Sequence, residues 1–312
     1  MQIYRIDHVA QAVPDLEAQI ALLQKLFGFR ATHRWDNQEA GVRGARLEIP
    51  GTWGHSWQVL APTGDNSSIQ TWLDEHGGRA GLHHVGVEVP DLDAAMAELD
   101  ERGIKVTDGV PGKWVEASLS PPAHGPGVLF RLRGPGSLTM TGDEAAVTVP
   151  PSPVDGPTLG IVNLDHICQA FLDRDELAAW YADLFGFVEV WRTADDEHPD
   201  MADLVLNVPG SSICWEVIMP RGEDSFIEKF FSRNGAAAHH VTFQVADWDQ
   251  ALDACRFHDV PTFDDEEGVT DGARWKHTFI HPKKTGGVLV QLFWEERPGV
   301  WVRSDKIPPK RR

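Results

Sequence analysis

Four histidine-bearing stretches carry whatever chemistry this sequence can do. Two read Ile6-Asp7-His8-Val9 and Leu164-Asp165-His166-Ile167, and two read His83-His84-Val85 and His239-His240-Val241. After His240, residues Val241, Phe243 and Val245 are apolar on alternate positions with Thr242 and Gln244 between them, the pattern of a half-buried strand. Alternation places His240 with Thr242 and Gln244 on the polar face of that strand. An imidazole there needs a partner. A lone one is usually satisfied by a hydrogen bond within the core. Several of them with a carboxylate make a donor set for a divalent metal. By the same alternation, His83 and His239 are expected to face away from the side used by His84 and His240.

The elements that would position these residues recur. A strand over 4–13 leads through Pro14-Asp15 into a helix carrying Leu16, Ile20, Leu23 and Leu26 at helical spacing, closed by Gly28. Strands are expected over 30–35, 44–49 and 55–60. The order restarts at His83-His84, with a helix opened by Pro90-Asp91, closed by Gly103, and followed by strands to 127–132.

The second half replays the first. His166 follows His8 at an offset of 158 (166 − 8), and Leu184-Phe185-Gly186-Phe187 follows Leu26-Phe27-Gly28-Phe29 at the same offset (184 − 26). Glu216 likewise matches Gln58 (216 − 58), while His240 matches His84 at 156 (240 − 84) and Gln291 matches Arg131 at 160 (291 − 131). A near-constant offset is the mark of a tandem duplication. Each half also divides, its two histidine strands lying 76 (84 − 8) and 74 (240 − 166) residues apart. The expected fold is therefore α+β: four strand-helix-three-strand (βαβββ) modules paired into two half-barrel clefts. The expected boundaries are an N-terminal domain over 1–135, a proline-rich linker over 136–160, a C-terminal domain over 161–297 and a basic tail over 298–312.

Composition narrows the function. The formal charge of −19 argues against nucleic acid as a partner. No apolar run approaches the length of a membrane span, and the N-terminus lacks a signal-peptide core. Cys168, Cys214 and Cys255 are odd in number and widely spaced, which suits reduced thiols in a cytoplasmic protein. No nicotinamide, flavin or nucleotide motif is present. The acidic run Asp264-Asp265-Glu266-Glu267 reads as a solvated loop.

The whole pattern resembles the vicinal oxygen chelate superfamily, which includes glyoxalase I, methylmalonyl-CoA epimerase and the extradiol dioxygenases. Within it, Gln58-Val59-Leu60-Ala61-Pro62, Gly78-Arg79-Ala80-Gly81-Leu82-His83-His84 and His281-Pro282-Lys283 are most similar to methylmalonyl-CoA epimerase. That resemblance implies one divalent metal (Zn, Mn, Co, Ni or Fe) per cleft, held by the first and last strands of each module. Carried over residue by residue, it assigns His166, Glu216, His240 and Gln291 to the second cleft. It assigns His8, Gln58, His84 and Arg131 to the first, where an arginine cannot ligate and either stands in for the metal or reaches a carboxylate. One metal per chain is expected. The implied activity is an epimerase or isomerase moving a proton alpha to a metal-bound ketone, on a small polyhydroxylated substrate of cyclitol type in preference to an acyl-CoA. The family's two carboxylate bases correspond to Asn207 and Gln291 here, and Glu48 survives only in the first half. The expected catalytic groups are therefore Glu216 together with Lys276 and His277 of a loop over 270–277. An Fe(II) dioxygenase of extradiol or hydroxyphenylpyruvate type is the second reading, and a small-molecule-binding resistance protein the third. A small molecule is the expected partner, with a homodimer left open.

Overall fold

The computed structural model describes residues 1–52, 54–64, 66–106, 108–110, 114–119, 121, 127–135, 147–150, 155–194, 200–222 and 225–297. The expected tail and residues 136–146 and 151–154 of the expected linker lie outside them. The first module runs β1 (Arg5–Ala12), α1 (Leu16–Leu22, continued by a π turn over Leu23–Phe27), β2 (Arg30–Asn37), β3 (Val42–Glu48) and β4 (Ser56–Pro62). Helix α2 (Ser68–Glu75) leads to the second: β5 (Gly81–Glu88), α3 (Leu92–Glu101), β6 (Asp108–Val110), β7 (Trp114–Leu119) and β8 (Val128–Arg133). After the short β9 (Val147–Thr148) the pattern repeats. The third module comprises β10 (Ile161–Ala170), α4 (Arg174–Phe185), β11 (Val188–Arg192), β12 (Met201–Asn207) and β13 (Cys214–Pro220). Helix α5 (Phe226–Asn234) then leads to β14 (Ala238–Val245), α6 (Trp248–Phe257), β15 (Thr262–Thr270), β16 (Ala273–Ile280) and β17 (Val290–Glu295).

Each half makes one curved sheet. The orders are β6-β7-β8-β5-β1-β4-β3-β2-β9 and β11-β12-β13-β10-β14-β17-β16-β15. The first and last strands of every module are parallel neighbours, and the two modules of a half join through the antiparallel pairs β1–β5 and β10–β14. The histidine strands therefore stand at the centre of each sheet. Strand β9 belongs to the segment expected to be a linker, but it adds to the open edge of β2 through His33–Thr148 and Arg34–Val147. Pairing there satisfies backbone groups that an edge strand leaves open.

The helices explain themselves from the sequence. Asp15, Asp91, Asp173 and Asp247 cap the first helix of the four modules, each accepting from backbone N–H groups of the first turn. Gly28 and Gly186 end α1 and α4 in the left-handed conformation.

The two halves share a continuous core. Phe27, Phe29 and Trp57 of the first half pack on Phe243 of β14, while Tyr181, Phe185 and Trp215 pack on Phe130 of β8. Aromatic edges and faces meeting this way bury large area on both sides of the repeat. A glutamine polices each contact: Gln11 accepts from Trp57 Nε1 and donates to Thr285 O and Gly286 O across the halves, and Gln169 accepts from Trp215 Nε1 and Tyr181. At Gly287 (φ +89) a Cβ would lie 1.7 Å from Ala80 O, so only glycine allows the β5–β17 ends of the two halves to meet. The apolar faces are spent on this core, which leaves each sheet's other, concave face for polar groups. Helices α2 and α5 cover one end of those concave faces through Ile69 and Leu73, and through Ile227.

Candidate metal centre

In the second cleft the central strands bring three of the four expected ligands together. The ligand atoms of His166, Glu216 and His240 all lie within 4.8 Å of one another, and all three residues are buried. His166 Nε2 is 3.5 Å and His240 Nε2 3.3 Å from Glu216 Oε2. The fourth, Gln291, joins through a hydroxyl. Thr242 lies opposite Gln291 on the parallel strand, donates to Gln291 Oε1 at 2.7 Å, and lies 2.8 Å from His166 Nε2.

Further residues, not singled out by sequence reasoning, hold this set. Asp165 Oδ2 is 2.7 Å from His166 Nδ1, and His239 Nδ1 is 2.9 Å from His240 Nδ1. Such outer partners orient the two rings and leave Nε2 as the atom available for ligation. They reach the cleft because the ladder is irregular. The β10–β14 register slips between Leu164 and His166, and again between Cys168 and Gln169 opposite His240 and Ala238. At a bulge two successive side chains no longer alternate cleanly. This corrects the expectation that His239, and likewise His83, turns away: each instead abuts its neighbouring histidine. The repeated Asp-His and His-His dipeptides were the signal. Cys168 sits in register with both His240 and Glu216, and its thiol hydrogen-bonds Glu216.

Electrostatics follow from this geometry. Burial opposes charge on both His166 and Glu216, but each stabilises the other, so the His166 pKa is raised, with Asp165 assisting, and the Glu216 pKa is lowered. Burial holds His240 neutral, with its pKa well below the ordinary value despite Glu216. A neutral imidazole and an ionised carboxylate are the ligating forms. Glu216 Oε2 and His240 Nε2 are buried with no hydrogen-bond partner. Orphaned buried polar atoms are costly, and two aimed at one point beside a third donor fit a divalent cation.

The remaining candidates separate. His277 and Lys276 lie on strand β16, within the 270–277 stretch expected to be a loop. His277 shares a face with Trp275 and Phe279, and Phe279 packs 5.4 Å from the His240 ring, which puts His277 in the cleft. Lys276 alternates to the other face, over Trp248 of α6 at 6.0 Å and 3.5 Å from Glu267. It is not part of the cleft. The acidic run 264–267 belongs to strand β15 and is not a loop. Asn207 and the buried Asp203 lie on β12, on the sheet face that Val205 shares with Glu216 through their pairing; Asp203 is a carboxylate that sequence reasoning did not single out.

The first cleft keeps the frame and changes the contents. His8 Nε2 and His84 Nε2 lie 3.1 Å apart, with Asp7 on His8 Nδ1 at 2.8 Å and His83 on His84 Nδ1 at 2.8 Å. Gly86 replaces Thr242 here, and a Cβ at Gly86 would stand 2.0 Å from the His8 ring. Arg131 pairs with Glu116 of β7 and stacks 4.1 Å over Trp114. Of the two roles expected for Arg131, it takes the reach to a carboxylate. Its charge still bears on the site, since burial and then Arg131 lower the His84 pKa.

This architecture, two half-barrel clefts built from paired modules with facing histidines at their centres, defines a family. Residues 7–116 and 165–279 match the Glyoxalase/Bleomycin resistance protein/Dioxygenase superfamily, and the chain belongs to it. An ethylmalonyl-CoA/methylmalonyl-CoA epimerase of Cereibacter sphaeroides is 34% identical over 126 residues, covering 40% of this chain and 86% of that one. The mitochondrial methylmalonyl-CoA epimerase of Bos taurus is 28% identical over 172 residues, covering 54% of this chain and 93% of its own. A variant of 4-hydroxymandelate synthase from Streptomyces coelicolor superposes with a TM-score of 0.70 over 95% of this chain and 94% of that one, at 13% identity, a likeness of fold alone.

Proposed function

We propose that the chain is a metal-dependent isomerase that moves a proton on the carbon beside a substrate carbonyl, using the second cleft alone. The observation that carries this is the buried His166–Glu216–His240 set with its two orphaned ligand atoms. Gln291 would complete it once released from Thr242. A divalent cation held there would polarise the carbonyl and acidify the neighbouring C–H. Asp165 and His239 orient the two imidazoles. His277 supplies the proton-transfer group from β16: burial lowers its pKa, partly opposed by Glu266 3.5 Å away, so it is neutral and able to accept a proton near pH 7. Glu216 is assigned to the metal, not to proton transfer. Epimerase relatives support the reaction class. The strong negative charge of the chain favours a small polyhydroxylated ketone of cyclitol type over an acyl-CoA bearing several phosphates. A reduced cytoplasmic setting suits three free cysteines; among the described residues, no helix is long and apolar enough to cross a membrane.

A second reading rests on the same residues. Two histidines and one carboxylate are also the ligand set of non-haem iron oxygenases. One experiment separates the two. Protein loaded with manganese or cobalt is incubated in heavy water with cyclic hydroxyketones, open-chain hydroxyketones and methylmalonyl-CoA, followed by NMR. Deuterium entering the carbon beside the carbonyl supports the isomerase. No exchange with any of them, together with oxygen uptake on a catechol or hydroxyphenylpyruvate by iron-loaded protein, replaces it with the oxygenase.

A further inference from the structure

The first cleft holds a group of charges that the second lacks. Arg5, Arg133 and Arg46 converge on the buried Asp7 carboxylate, their Nη2 atoms 3.0, 3.3 and 3.7 Å from Oδ1. Glu88 closes the group at 3.1 Å from Arg5 and 3.3 Å from Arg133. Three guanidiniums thus face two carboxylates, leaving a surplus of one positive charge, while the adjacent Arg131 is matched by Glu116. The side chains of Arg46 and Arg133 are only 15% and 8% exposed. Arg46 Nη1, Arg133 Nε and Gln58 Oε1 are buried without hydrogen-bond partners. Burial lowers the Arg46 pKa and, although Asp7 opposes this, Arg133 and Arg5 add to it.

The cluster is not something the fold requires. Arg46 pairs with Gln58 in the ladder as Val205 pairs with Glu216, so valine takes its place in the second half. Phe293, two residues beyond Gln291, stands for Arg133, and Asn163, three before His166, stands for Arg5. A scaffold that manages with Asn, Val and Phe has no structural need of three arginines. A buried, uncompensated guanidinium is costly unless something completes its hydrogen bonds. In a chain of net charge −19, this cleft is a local reversal of sign.

We propose that the first cleft is a metal-free binding site for a small carboxylate, held by Arg46 and Arg133 beside Gln58. The planar guanidinium fork matches a carboxylate in geometry. One carboxylate balances the surplus charge of one, whereas a phosphate dianion would exceed it next to Asp7 and Glu88. Arg5, at 28% the most exposed of the three, leads in from solvent. The site stands whether or not the second cleft takes a metal. The test is calorimetric titration of the chelator-treated chain with sodium lactate at matched ionic strength, repeated in Arg46→Met and His240→Ala. One lactate per chain is expected, unchanged in His240→Ala and weakened at least tenfold in Arg46→Met. No binding, equal affinity in Arg46→Met, or loss of binding in His240→Ala overturns the proposal, the last by placing the carboxylate in the other cleft. Phosphate binding more tightly than lactate overturns the assigned ligand class. Should Arg46→Met fail to fold by circular dichroism, Arg46→Lys keeps the charge without the fork. The same tenfold weakening is then expected, and unchanged affinity overturns the proposal.

Discussion

Thr242 hydrogen-bonds atoms of two proposed ligands, His166 and Gln291, and Thr242→Val should release both. The hydroxyl is fully buried, donates to Gln291 Oε1 at 2.7 Å, and faces His166 Nε2 at 2.8 Å. With the His166 pKa raised, Nε2 carries a proton at pH 7 and donates to the threonine. Both bonds involve atoms assigned to the metal, so both must break when it enters. Valine preserves shape and removes the hydroxyl. Gln291 Oε1 then loses its donor, while the His166 N–H still faces Glu216 at 3.5 Å, so the metal-free protein should lose about 1–2 kcal/mol. The metal-loaded protein, which no longer uses these bonds, should lose little. By linkage the difference returns as affinity: at about 1.4 kcal/mol per decade, cobalt should bind roughly 5- to 30-fold more tightly to Thr242→Val. Urea unfolding of the chelator-treated proteins gives the first quantity, and competition against a chromogenic chelator the second. A variant that binds cobalt more weakly, or whose metal-free form is no less stable, would refute this role for Thr242.

Other consequences follow from the same geometry. His277→Asn should lower turnover by about 10²–10⁴-fold while keeping a full complement of metal; loss of the metal in this variant would make His277 a ligand instead. Arg131→Ala removes the buried guanidinium that pairs with Glu116 and should cost about 3–5 kcal/mol in urea unfolding, and a cost below about 1 kcal/mol would contradict the weight given to this pair. Burial lowers the pKa of His55 to about 4, although its bond to Ile6 O works the other way. Between pH 6.5 and 4 the unfolded chain therefore binds the extra proton, and stability falls as pH falls through that window. The His55 contribution is about 2 kcal/mol between pH 7.5 and pH 5. His55→Gln should show a correspondingly shallower acid dependence, and an unchanged slope would place the effect elsewhere.

The fold was legible because duplication writes it four times. The capping aspartates, the helix-closing glycines and the period-two strands each recur at fixed offsets, so local signals reinforce one another. The grouping of His166, Glu216 and His240 in one cleft was legible for the same reason. What escaped was everything that depends on broken periodicity. A strict alternation rule turns His239 away from His240, and only a register slip, invisible in a single sequence, brings them together. Asp165 was on the page beside His166, but its role depends on the same kind of irregularity. Lys276 and His277 are neighbours in a segment that begins with the turn-forming Asp271-Gly272, which suggests a loop; once it is a strand, alternation sends one to the cleft and the other to α6. The arginine cluster of the first cleft is assembled from β1, β3 and β8, and no local spacing announces it. Arg131 was read against the ligand position alone, whereas its partner Glu116 sits on the neighbouring strand.

The central claim is that the second cleft, and not the first, holds a metal through His166, Glu216 and His240. Metal content by mass spectrometry, on chains refolded from chelator and reloaded with cobalt, tests it most directly when wild type is compared with His240→Ala. The account predicts one cobalt per chain in wild type and less than about a tenth of that in a folded His240→Ala, since losing an imidazole that binds the ion directly costs more than the roughly 10–100-fold attributed to an outer partner. Equal cobalt in both proteins, or two per chain in the wild type, would contradict it.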